Sequence, residues 1–173
     1  MKTTVKVLFL IVSLFISQFI EAQEINTRAK DPKTGNDILV GEANVEGLKN
    51  IGDWFNTEYN AYTPDSVAIS TLKQFKDKLP DVFVVMGTWC GDSKEHVPHF
   101  FKIADMIGYP QQKIFMVAVD RDKKGGNFCL ADFDISLVPT FIFTSHGKET
   151  GRIIETPTTT LEQDMVNVIT NTK

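Results

Sequence analysis

Val82-Phe83-Val84-Val85-Met86 runs without a polar residue into Gly87-Thr88-Trp89-Cys90-Gly91-Asp92-Ser93-Lys94, and the reading of this stretch decides the fold. A short continuous apolar run rich in β-branched residues is the pattern of a strand buried on both faces, which belongs at the centre of a sheet. The polar segment behind it ends the strand and opens a helix with a stripe of Val97, Phe100, Phe101, Ala104 and Ile107, closed by Gly108 and Pro110. Ile114 to Val119 reads as a second buried strand. Strand, helix and strand in that order imply parallel pairing through a right-handed crossover.

Toward the C-terminus, Asp120 to Asn127 is a charged connection, and a short helix is expected around Cys129 to Phe133. Val138-Pro139-Thr140 leads into a third strand at Phe141-Ile142-Phe143. Ser145-His146-Gly147-Lys148 turns the chain into a fourth, Gly151 to Ile154, so these two form a hairpin. Thr158 or Thr159 is expected to cap a closing helix through Leu161, Met165, Val168 and Ile169. Toward the N-terminus, Val67, Ile69, Leu72, Phe75 and Leu79 mark one amphipathic helix ended by Pro80. Val45, Leu48, Ile51, Trp54 and Phe55 mark another. Residues 23–43, rich in turn formers such as Asp31-Pro32 and Gly35-Asn36, read as a flexible lead-in.

With 173 residues, 42% hydrophobic and 23% charged, the chain can fill one core rather than two. A net charge of -4 gives no broad basic surface for phosphates, which argues against nucleic-acid binding. Lys2 and Lys6, the apolar run Val7 to Ile16 and the small residue Ala22 read as a signal peptide over 1–22. Ser13, Ser17 and Gln18 interrupt that run, which falls short of the roughly 20 apolar residues of a membrane span. The mature chain is therefore expected to be exported, periplasmic or extracellular, with its domain over 44–173 and no stable membrane span. Two cysteines, Cys90 and Cys129, are too few for a disulfide scaffold.

Cys90 stands where a buried strand gives way to a helix. Free N–H groups and the positive end of the helix dipole favour an anion there, so the thiolate is favoured and nucleophilicity follows. The alternative is an inert core cysteine, against which stands the polar, helix-opening character of Gly91-Asp92-Ser93.

These features together resemble the thioredoxin family: the strand, Trp89-Cys90-Gly91-Asp92-Ser93-Lys94, the helix, the next strand, and Val138-Pro139-Thr140 before a hairpin. Pro98, eight residues after Cys90, falls where the family's helix carries its kinking proline. The resemblance runs from about Ser66 to Thr172. It implies an α/β, three-layer sandwich with a central mixed sheet flanked by helices, here with an added N-terminal helix. It also implies that Val138, Pro139 and Thr140 meet an extended substrate chain, with Pro139 cis and the groups around Val138 free to pair. Trp89, Cys90, Gly91, Asp92 and Ser93 are the implied catalytic segment, with no cofactor.

One departure matters more than the match. Family reductases carry a second cysteine three residues after the first, and here that residue is Ser93. Cys90 can form a mixed disulfide, but a hydroxyl cannot resolve it. Ser93 is left as a candidate hydrogen-bond donor to the sulfur. Val84 stands where the reductases keep a buried acid. Asp92 opposes a thiolate and Lys94 supports it. Cys129 is either the missing resolving thiol or, as Phe128 and Leu130 beside it suggest, a small buried residue.

His96 and His99 share a helix face, but Cys90 is about two turns away and a second chaperone-type cysteine is missing, so no metal site is expected and the histidines read as solvated or capping. A peroxiredoxin-type site wants threonine three before its cysteine, and Thr88 is two before Cys90. Two functions remain: thiol-disulfide exchange on exported protein disulfides or thiols, isomerase-like or helped by a low-molecular-weight thiol, and a binding module on the same scaffold.

Overall fold

A computed structural model describes residues 24–171. The expected signal peptide over 1–22 lies outside them. Among the described residues no helix is long and apolar enough to cross a membrane.

The expected central strand is β4 (Asp81–Met86), the third of five in one sheet. It pairs in parallel with β5 (Ile114–Ala118), register Met86 to Ala118, and antiparallel with β6 (Thr140–Ser145), register Val85 to Thr140. The outer strands are β7 (Lys148–Ile154) beside β6, and a short antiparallel strand, β3 (Gly41–Glu42), beside β5. The class is α/β and the sheet mixed, as the sequence pattern requires. His146 and Gly147 join β6 to β7 with both φ angles positive, 52° and 74°, the conformation of a two-residue hairpin turn.

The lead-in is not loose where it is described. Strands β1 (Arg28–Lys30) and β2 (Asp37–Leu39) form a hairpin and Gly41–Glu42 joins the main sheet. The sequence disguised this because the strands are two or three residues long and lack the alternation that marks a longer one. Ile38 and Leu39 are nevertheless buried, as is Asp31 in the turn region between the strands. The Leu39 N–H donates to the buried Thr88 hydroxyl at 3.0 Å, fastening the hairpin to the segment that precedes Cys90.

The added N-terminal helix is two helices, α1 (Val45–Ile51) and α2 (Trp54–Ala61), broken at Gly52-Asp53. Asn44 caps α1 by accepting from the Gly47 N–H. Helix α3 (Ser66–Gln74) buries Ala68, Ile69 and Leu72, while Val67, expected on that face, is 71% exposed. Helix α4 (Gly91–Ile107) carries Pro98 inside it and ends at Gly108 in the left-handed conformation, φ 71°. The last helix, α5 (Leu161–Thr170), is capped by Thr160 and not by Thr158 or Thr159. Those two donate to the Asp164 carboxylate one turn inside the helix.

Alternation along the strands divides the core. Val82, Val84 and Met86 join the cluster that contains the buried residues of all five helices, including Leu48, Phe55, Leu72, Phe100 and Met165. Val85, Val117, Val119 and Val138 form the other cluster, with Phe83 and Phe115 packed against it. Phe128, Leu130 and Ile135 of the connection between β5 and β6 cover this second side, where the only regular structure described is a short 3-10 turn, Ala131–Phe133. The outer layer there is a loop, and it brings Trp89 and Cys90 into the same cluster.

Thr88→Val keeps the shape of the side chain but removes the acceptor of the buried Leu39 N–H. It should destabilise the protein by about 1–3 kcal/mol in urea denaturation and raise the exchange rate of the Leu39 amide. An unchanged Leu39 exchange rate would show that the hairpin does not depend on this bond.

Candidate functional site

Three chain segments meet at the C-terminal end of β4: the turn Gly87 to Cys90, the end of β5 with the residues after it, and the approach to β6. The first turn is tight. A Cβ on Gly87 would stand 2.7 Å from the Trp89 ring, so the indole can fold back only over a glycine. Its Nε1–H donates to the Val119 carbonyl at 2.8 Å, tying the turn to the end of β5.

Cys90 is the N-cap residue of α4, with φ -91° and ψ 133°, and is half-buried. Its Sγ lies 3.1 Å from the Val138 carbonyl oxygen, to which the thiol donates, and 3.7 Å from the Asp92 carboxylate. The Val138–Pro139 bond is cis. The Val138 carbonyl is therefore not free as expected, since the thiol occupies it. Pro139 O accepts from the Glu155 N–H, and Thr140 pairs with Ile154 while its hydroxyl donates to Leu137 O.

Ser93 is fully buried, and its Oγ accepts the Gly87 N–H at 3.1 Å. No hydrogen bond among the described residues joins it to Cys90, so it serves the backbone of the turn and not the sulfur. Gly91 opens α4 with no atom within 4 Å of where a Cβ would be. Cys129 is exposed and unpaired in a disulfide, not the small core residue its neighbours suggested. Phe128 and Leu130 take the apolar contacts and leave the thiol between them at the surface.

The site also contains charges that were not foreseen. Arg121, two residues after Val119, lies over the Trp89 ring with its guanidinium carbon 4.7 Å from the centroid. Its Nε and Nη2 donate to the two oxygens of Asp31 at 2.7 and 2.8 Å, a bidentate pair between residues 90 apart in the chain. The Arg121 hydrogen bond holds the Asp31 carboxyl well below the usual carboxylate range, with Thr34 and the Lys33 N–H acting the same way against the cost of burial. Asp31 in turn favours the charged guanidinium, and the Cys90 sulfur is near enough to add to that effect. Asp31, Arg121, Trp89, Thr88 and Lys94 share the wall of an open cleft of about 450 Å³ between the N-terminal hairpin and the Cys90 turn. An arginine in a charged loop and an aspartate before a proline each looked like surface residues; nothing in a single sequence links them.

His96 and His99 are buried, 8% and 9% exposed, rather than solvated. They meet edge to face, and Tyr62, the C-cap residue of α2, stacks on His99 with ring centroids 3.7 Å apart. Burial first, and His96 second, push the His99 imidazole toward its neutral form, against the opposing pull of Glu95 and Glu58.

The thioredoxin family model matches residues 66–167, more than half of the chain. The chain belongs to the thioredoxin family. Thioredoxin O, mitochondrial, of Oryza sativa subsp. japonica is 36% identical over 89 residues, 51% of this chain and 49% of that protein, so the match spans about half of that relative's length. Thioredoxin-3, mitochondrial, of Saccharomyces cerevisiae is 28% identical over 123 residues, 69% of this chain and 87% of that protein. Among solved structures, thioredoxin O1 from Arabidopsis thaliana in the oxidized state is 24% identical, with a TM-score of 0.40, 58% of this chain covered and 88% of that one. In this thioredoxin-family chain, Trp89 and Cys90 pack against the Val138 cluster, and the Cys90 sulfur meets the Val138 carbonyl beside the cis bond to Pro139 and the Asp92 carboxylate. Ser93 turns inward, and Cys129 stays in the outer loop.

Because the folded Asp31 carboxyl titrates below its ordinary value of 3.8, its stabilising effect is complete above that value and disappears as pH falls through the lower, folded one. Asp31→Asn should therefore lower Tm at pH 7, and the gap to the native protein should shrink steadily below about pH 4. A gap that stays constant in thermal scans from pH 7 to pH 2 would remove the ion pair from the account.

Proposed function

We propose that this thioredoxin-family protein carries out thiol-disulfide exchange through Cys90 alone, on exported proteins, with a second thiol supplied from outside the Cys90 turn. The observation that carries this reading is the half-exposed Cys90 sulfur at the start of α4, 3.1 Å from the carbonyl of Val138. Supporting it are the helix-start position, which favours an anionic sulfur, and the Arg121 charge within electrostatic reach.

In the first step the Cys90 thiolate attacks one sulfur of a substrate disulfide. A Cys90–substrate bond forms, the substrate S–S bond breaks, and the other substrate sulfur leaves as a thiolate that takes up a proton. The S–H that held the Val138 carbonyl is gone at that point, so the carbonyl can accept a backbone N–H from the bound chain. Attack and substrate docking are thereby coupled through one oxygen.

In the second step a thiolate attacks the Cys90 sulfur or its partner. If a substrate thiol does so, the disulfide is rearranged and Cys90 is regenerated with no net redox change. If two equivalents of a small thiol such as glutathione do so, the substrate is reduced and the small thiol leaves as its disulfide. Exposed Cys129 is the one other thiol of the chain. For export, the support is the sequence of residues 1–22; a purified mature chain beginning at Gln23 outside the cytoplasm is the expected result, and an intact N-terminus inside it would refute that part.

An insulin-reduction assay tests the chemistry. The native protein should turn over only with added glutathione, and Cys90→Ser should fall to the buffer rate, while Cys129→Ser should retain activity. Ser93→Cys should gain turnover that no longer needs glutathione. If the native protein with glutathione is no faster than glutathione alone, the chain is a binding module on this scaffold and the exchange reading is wrong.

A further inference from the structure

We propose that Glu95, His96 and His99 of α4, with Glu58 of α2, form a site for one divalent transition metal, best suited to zinc. One ligand atom from each of the first three residues lies within 4.8 Å of the others. The spacing of these three residues places them on adjacent turns of one helix. The sequence argues against a metal only for a set that includes Cys90, which is about two turns away and lacks a second cysteine. The third ligand is instead a carboxylate next to His96, and a fourth comes from another helix.

Each member is placed by something other than a metal. Glu95 Oε1 is 3.9 Å from His96 Nδ1, and Glu58 Oε2 is 3.5 Å from His99 Nε2, longer than a good hydrogen bond in both cases. The two imidazoles are buried but not tightly claimed, while both carboxylates remain reachable. Stacking by Tyr62 fixes the His99 ring plane, and the Tyr62 hydroxyl is itself anchored on the Glu162 carboxylate of α5. Two imidazole nitrogens and two carboxylate oxygens are a donor set that zinc accepts in four-coordinate geometry, with bonds of about 2.0–2.2 Å. Ligand atoms now up to 4.8 Å apart must draw together, and the side chain of Glu95, 56% exposed, and that of Glu58, 40% exposed, have the freedom to do so. Filling the site would clamp α2 to α4, the helix that Cys90 caps, without involving Cys90.

Zinc titration of the chelator-treated full chain by calorimetry should give one zinc per chain, and the Cys90→Ser, Cys129→Ser double variant should bind equally well. Glu58→Gln should weaken binding by about 10- to 100-fold, and His99→Gln by at least as much. Ring-nitrogen NMR of the native protein, which needs no variant to fold, should show the His96 and His99 signals moving with zinc while exposed His146 stays still. No binding, binding lost with the two cysteines, or shifts confined to His146 would each overturn the proposal.

Discussion

The pairing of β4 with β5 on one side and β6 on the other is the constraint from which the site follows. β4 is apolar on both faces, so it is stable only between two partners, and the register Met86 to Ala118 and Val85 to Thr140 brings three chain segments out at one end of the sheet. Cys90, Val119 and Val138 are 48 positions apart at the extremes, yet the sulfur, the Trp89 anchor and the Val138 carbonyl meet because the strands end together. A shift of two residues along β4 would keep every side chain on its own face and still separate the sulfur from its carbonyl. The hydrophobic pattern therefore secures the faces, while the polar links from Trp89 to Val119 and from Cys90 to Val138 report the register.

The N-terminal hairpin has a different logic. β1 and β2 are too short to hold themselves together against the cost of ordering the chain. They persist because two distinct contacts reach across to the site, Leu39 to Thr88 and Asp31 to Arg121, the second extended by Arg121 lying over Trp89. Both hairpin contacts join residues tens of positions apart and make one side of the Cys90 turn dependent on a segment outside the matched family region, which begins at residue 66. The hairpin gives this chain a walled, charged cleft against Thr88 and Trp89 of the Cys90 turn.

What was legible in the sequence is what periodicity and local chemistry encode. The strand over 82–86, the helix closed by Gly108, the hairpin at His146-Gly147 and the Cys90 turn all carry their information within a few residues. The broken helix at Gly52-Asp53, where apolar spacing continues through the break, shows the limit of periodicity, because Trp54 and Phe55 keep the rhythm while the backbone does not. Thr160 outcompeted its two neighbours as cap because Thr158 and Thr159 are engaged by Asp164, a contact visible only once the helix has formed. Asp31 with Arg121, and Glu58 with His99, were invisible for a deeper reason: their partners are chosen by topology. Burial of the two histidines was likewise decided by α2 packing against α4, not by anything within α4.

Ser93 connects the chemistry to the fold. In a two-cysteine relative this position supplies the sulfur that ends the reaction, whereas here its hydroxyl is buried and accepts the Gly87 N–H. Sulfur is a much weaker acceptor than oxygen, so serine holds the turn beneath Trp89 and Cys90 better than cysteine would. The same substitution that removes the resolving thiol thus makes the turn more firmly set. Under the proposed exchange through Cys90 alone, a mixed disulfide on this sulfur would last until another thiol arrived, and the lifetime of that covalent complex would be governed by the concentration of the second thiol rather than by Cys90 itself.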